Sequence, residues 1–91
     1  MITAIVLINA EKTKINSVGQ QLAGIEGITE VYSVSGRFDL VAIIRLMNND
    51  DLAKLITEEI VKVDGITKTE SMVAFKTLSK HDLESMFDLG S

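Results

Sequence analysis

The run Ile2–Ile8 (ITAIVLI) near the start of this chain is apolar at both alternating positions. A half-exposed strand carries polar residues on one face. Here Ile2, Ala4, Val6 and Ile8 fall on one side and Ile5 and Leu7 on the other, so neither face is made for water. Asp39–Leu46 (DLVAIIRL) is a second near-continuous apolar strand. The chain has 91 residues, enough for one domain and too few for two. A domain of that size buries only about 60–65% of the surface its unfolded form exposes. Apolar residues make up 46% of the sequence and mean hydropathy is +0.26. The surplus is expected to be hidden against another copy of the chain rather than left as an open patch.

Between and after these strands the periodicity changes. From Thr13, Ile15, Val18 and Leu22 recur at helical spacing, and the segment stops between Gly24 and Gly27. Ile28–Ser35 alternates as a half-exposed strand does, with Thr29, Val31 and Ser33 on one face and Glu30, Tyr32 and Val34 on the other. After a turn at Gly36-Arg37 and the second apolar strand, Asn48 to Asp51 offer caps for another helix. Its buried stripe is expected at Leu52, Leu55, Ile56, Ile60 and Val63. Ile66–Leu78 alternates again as a fourth strand, and His81–Leu89 reads as a short amphipathic helix.

The order βαββαβ is supported by an internal repeat. Gly27-Ile28-Thr29-Glu30-Val31-Tyr32-Ser33 aligns with Gly65-Ile66-Thr67-Lys68-Thr69-Glu70-Ser71, each stretch following a helix and opening a strand. Two such halves predict an α+β, ferredoxin-like fold with a four-stranded antiparallel sheet of order 4-1-3-2. The doubly apolar strands take the centre and the alternating ones the edges. Residues 1–78 are read as the domain proper, and 79–91 as a helical tail belonging to it. Two helices cover only one face of such a sheet. Covering the other with a second copy gains on the order of 2.5 kcal/mol for each 100 Å² of apolar surface hidden.

The chemical inventory points away from catalysis. Net charge is −4, from nine basic and thirteen acidic residues, with no basic run to meet phosphate or an anionic membrane. Direct nucleic-acid contact and membrane association are therefore not expected. There is no cysteine and a single histidine, His81, which reads as solvated or capping. The glycines form no phosphate loop, no ligand cluster suggests a metal, no cofactor is implied, and no base stands ready to activate a serine. Met1 leads straight into Ile2–Ile8 with no basic stretch or cleavage pattern, so this segment is not read as a secretory leader; no run approaches membrane-spanning length, and the expected location is cytoplasmic.

The most informative segment is Ser35-Gly36-Arg37-Phe38-Asp39. A free amino acid presents one ammonium and one carboxylate. Asp39 offers an acceptor for the first, and N–H groups around Gly36 offer donors for the second, with Arg37 as a further donor or a solvated side chain. The same residues also suit an ordinary glycine turn. Thr67, Thr69 and Ser71 form a hydroxyl ladder, either an exposed edge or a polar lining facing a ligand across a subunit contact. Tyr32 reads as a half-buried edge residue.

The run Val31-Tyr32-Ser33-Val34-Ser35-Gly36-Arg37-Phe38-Asp39-Leu40, taken with Gly65–Ser71 and the element order, resembles the effector-binding module of the Lrp/AsnC regulators, called RAM for regulation of amino acid metabolism. The resemblance covers about Ile2 to Leu78. It implies sheet-to-sheet dimers assembling into rings, with an amino-acid effector bound between dimers. On that basis the candidate ligand-binding residues are Gly36, Arg37, Phe38, Asp39, Thr69 and Ser71. Full members carry a winged helix-turn-helix ahead of this module, whereas this sequence begins at the first strand. It therefore reads as a stand-alone module, whose partners are a small effector, its own copies and a full-length regulator. Two rivals remain: a dimeric α/β-barrel enzyme of the monooxygenase or isomerase kind, and a purely structural interaction module.

Overall fold

The doubly apolar run becomes the longest strand, β1 (Ile2–Ala10), in a computed structural model that describes residues 1–80. A tight turn at Lys12–Lys14 leads into α1 (Ile15–Ala23), which is followed by β2 (Ile28–Ser33) and β3 (Leu40–Leu46). The second helix, α2, opens at Asn49–Lys54, widens to a π turn over Leu55–Glu59 and tightens to a 3₁₀ turn at Ile60–Lys62. Strand β4 (Ile66–Val73) closes the order. The sheet runs β2-β3-β1-β4 with every pair antiparallel, which is the expected ferredoxin-like arrangement. The tail helix expected at His81–Leu89 lies outside the described residues.

Local chemistry explains the helices. Asn48 Oδ1 accepts from the Asp51 N–H at 2.8 Å, and Asp50 and Asp51 lie in the first turn, where acids suit the positive end of the helix dipole. Val18 and Leu22 of α1 and Leu52, Leu55 and Ile60 of α2 join Ala4, Val6, Ile8, Leu40, Ala42 and Ile44 in one buried core. That core occupies the helix-bearing side of β1 and β3.

The sequence repeat is also a repeat of backbone irregularity. Gly27 and Gly65 take φ values of +100° and +105° as the chain leaves each helix. A side chain at Gly27 would lie 2.7 Å from Leu46 Cδ2, so glycine serves both the left-handed conformation and the close approach. Each is followed by an Ile facing the core and then by a bulge. Pairing passes from Ile28 to Glu30 against β3, skipping Thr29, and from Ile66 to Lys68 against β1, skipping Thr67. A bulge increases local twist and re-aims the residues after it. At the first one, Thr29 Oγ1 donates to the Ile43 carbonyl and accepts from Arg45 Nη1.

Both edge strands end sooner than their sequence pattern suggests. Alternation continues through Leu78, but β4 stops at Val73: Ala4 pairs with Val73, and the Ala74 N–H donates to the Thr3 carbonyl just beyond that pair. Ser35 likewise falls in the loop after β2.

Candidate functional site

The side of the sheet opposite the helices has a definite pattern. Across the strands, Glu30, Ile43, Ile5 and Met72 form one row and Tyr32, Val41, Leu7 and Glu70 the next. Arg45 and Thr3 flank these rows at one end, Asn9 and Lys68 at the other. The centre is thus a half-buried apolar panel of Ile5, Leu7, Val41 and Ile43, with exposed Met72 at its margin. On the β2 edge Tyr32 Oη donates to Glu30 Oε2, while Arg45 Nη1 lies 3.4 Å from Glu30 Oε1. The Tyr32 hydroxyl, and after it Arg45, hold the Glu30 carboxyl below its usual range. The same Glu30 contact raises the Tyr32 phenol. This polar edge frames the panel with groups that already satisfy one another.

At the Lys68 end sits the loop between β2 and β3. It is closed by Val34 N–H donating to the Asp39 carbonyl at 3.0 Å, and Asp39 N–H reaches the Ile8 carbonyl at 2.9 Å. Asp39 Oδ2 accepts from the Ala10 N–H at 3.0 Å. The carboxylate therefore has a structural task, anchoring the loop to the end of β1, and it retains its second oxygen. Gly36 takes φ +113° with nothing within 4 Å of a side chain placed there. Its glycine answers to backbone conformation, not to crowding. Arg37 is exposed at the loop tip. Phe38 is half-buried, and Lys68 Nζ lies 5.9 Å from its ring centroid.

The six candidates divide into two places. Gly36, Arg37, Phe38 and Asp39 cluster in the loop at the end of β1. Thr69 and Ser71 pair with Ile8 and Val6, which puts them on the helix-bearing side, exposed at the β4 edge. Thr69 also lines a small cleft with Ile60, Val63 and Ile66. Among the described residues no side-chain hydrogen bond joins these hydroxyls to the loop. Lys68, between Thr67 and Thr69 in sequence, is the β4 residue that does meet it. Composition gave no sign of this, because the meeting depends on register across β1. A larger cleft of about 600 Å³, lined by Leu46, Leu55, Asp51, Lys54 and Glu59, opens at the other end of β3. Among the described residues no group of His, Cys, Asp and Glu converges to hold a metal, and no helix is long and apolar enough to cross a membrane.

A four-stranded antiparallel sheet with helices on one side, an apolar panel on the other and a glycine loop at one end has the architecture of a small effector-binding module. The family model for the Lrp/AsnC ligand binding domain matches residues 3–83, and the chain belongs to that family. Among solved structures, TTHA0845 from Thermus thermophilus is 36% identical with a TM-score of 0.83, covering 88% of this chain and 100% of that one. An HTH-type transcriptional regulator of Pyrococcus furiosus is 32% identical over 63 residues, 69% of this chain and 42% of the regulator. A second regulator from that organism is covered over 53% of its length, so the chain spans about half or less of these curated relatives. The L-Met complex of the transcriptional regulator NMB0573 from Neisseria meningitidis shares the fold at a TM-score of 0.77 and 9% identity, covering 86% of this chain and 52% of that one.

Proposed function

We propose that this chain is an amino-acid-responsive regulatory module whose copies assemble through the open face of the sheet, and that ligand binding at the Gly36–Asp39 loop shifts that assembly. The observation that carries the reading is the apolar panel of Ile5, Leu7, Val41 and Ile43, on which no helix among the described residues packs, beside that loop. Apolar side chains on the two central strands would lie against a second sheet at the usual spacing of about 10 Å. The loop then sits at the rim of the contact, where a ligand can touch more than one copy.

Support for a small ligand comes from the family's own description and from the L-Met complex of the Neisseria regulator. Thr69 and Ser71, on the helix-bearing side of the sheet, are proposed to complete the site from a neighbouring copy. A ligand that binds only the assembled state favours it by RT ln(1+[L]/Kd), about 2.7 kcal/mol at a hundredfold excess over Kd. The acidic balance of the sequence, without a basic run, speaks against DNA contact by this module, so that contact is assigned to a full-length regulator acting as partner. The matched relatives are transcriptional regulators, which favours this reading over an enzyme.

The test is a panel of the protein amino acids at millimolar concentration, read by thermal shift and by sedimentation velocity. One or a few are expected to raise the melting temperature and change the sedimentation coefficient together. A flat response in both readouts for every amino acid rejects the sensing role.

A further inference from the structure

We infer that Lys68 is a ligand-binding residue of the loop site, supplying the cation that docks the carboxylate of an α-amino acid. The inference rests on the proposed function and adds a group from a different strand to the same site.

The geometry begins with β1. Asp39 reaches one flank of it through the Ile8 carbonyl and the Ala10 N–H. On the opposite flank Lys68 pairs with Asn9. Two strand spacings, about 10 Å, would ordinarily separate side chains placed this way. The Lys68 side chain nevertheless meets the loop, its ammonium lying 5.9 Å from the ring centroid of Phe38, the residue before Asp39. Lys68 shares its sheet face with Glu70, two residues further along β4, yet among the described residues it forms no ion pair with Glu70 or with any other carboxylate. It leans on the aromatic ring instead, which leaves its N–H donors uncommitted.

The opposite charge is equally available. Asp39 uses Oδ2 to hold Ala10 and keeps Oδ1. Asn9, half-buried on β1 between the two, adds an amide on the same face as Lys68. A cation over the Phe38 ring, a carboxylate on the next residue and an amide on the paired position of β1 are the complement a zwitterion needs: carboxylate to Lys68, ammonium to Asp39. Exposed Arg37 is not needed for this pairing. Lys68 replaces the Gly36 N–H groups as the principal carboxylate partner.

The experiment compares wild type, Lys68→Met and Lys68→Arg, each titrated with the amino acid that responds in the panel and with the amine that lacks its carboxylate. Lys68→Met is expected to raise the half-saturating concentration of the amino acid by about tenfold or more, as for loss of a charge-assisted hydrogen bond. Lys68→Arg keeps it within about threefold, since the charge is retained. The amine should not distinguish wild type from Lys68→Met. Melting of each variant without ligand shows that it folds. An unchanged half-saturating concentration in Lys68→Met, with the wild type responding, overturns the role of Lys68 alone. A wild type indifferent to every amino acid overturns the proposed function and this inference with it.

Discussion

The two faces of the sheet are built from the same residue types and have opposite fates. On β1, Val6 and Ile8 are fully buried beneath the helices, while Ile5 and Leu7, one position away on the opposite face, are only half-buried. On β3, Ala42 and Ile44 are buried and Val41 and Ile43 half-buried. The difference lies in what the chain itself supplies. Two helices suffice for one side, so the first face stabilises the fold and the second, in our account, stabilises an assembly. Pairing on the β2 edge fits this division. Glu30, Tyr32, Thr29 and Arg45 satisfy one another within the chain, so covering the panel would strand few polar groups.

The sharpest way to separate the faces is to shorten a side chain on each. Leu22→Ala opens a cavity beneath the helices and is expected to cost about 2–5 kcal/mol, equally at every protein concentration, as read by urea unfolding. Ile5→Ala, on the panel, is expected to cost about 1–2 kcal/mol by lost area. Its cost is felt only where copies associate. A dilution series should therefore show the difference from wild type shrinking as the assembly dissociates, and a cost independent of concentration would erase the distinction between the faces.

A smaller effect probes the loop between them. Asp39→Asn exchanges a charge-assisted bond to the Ala10 N–H for a neutral one, a loss of about 1 kcal/mol in chemical unfolding. The same variant should weaken the amino-acid response, because the ammonium loses its counter-charge. The smallest effect lies on the helix side. Lys14 donates to Asp64 at 2.8 Å across the loops that enter α1 and β4, and this contact lowers the Asp64 carboxyl. A carboxyl with a depressed folded pKa contributes stability that is present above its unfolded value and lost as pH falls through the folded one. Melting temperature measured below about pH 4 should consequently fall slightly less steeply in Asp64→Asn than in wild type.

Element order, strand order and the identity of the central strands were legible in the sequence because they follow from hydropathy alone. A strand apolar on both sides belongs in the middle of a sheet. The capping role of Asn48 was legible for a similarly local reason. What hydropathy does not carry is register. The end of β4 at Val73, opposite Ala4, and the bulges at Thr29 and Thr67 show only when partners are counted across the ladder. The candidate loop was legible as a glycine followed by an aromatic and an acid. Asp39's bond to Ala10, 29 positions away, was not, and neither was the meeting of Phe38 with Lys68 across an intervening strand. The placement of Thr69 and Ser71 on the helix side follows from the same register.

Sedimentation equilibrium of the ligand-free chain at micromolar concentration tests the central claim most directly. A panel that must be covered predicts a mass of at least twice the 9.9 kDa of one chain, reduced toward a single chain by a charge at its centre, as in Leu7→Asp. A folded 9.9 kDa particle that persists through the micromolar range contradicts it, because the open face would then need no second copy.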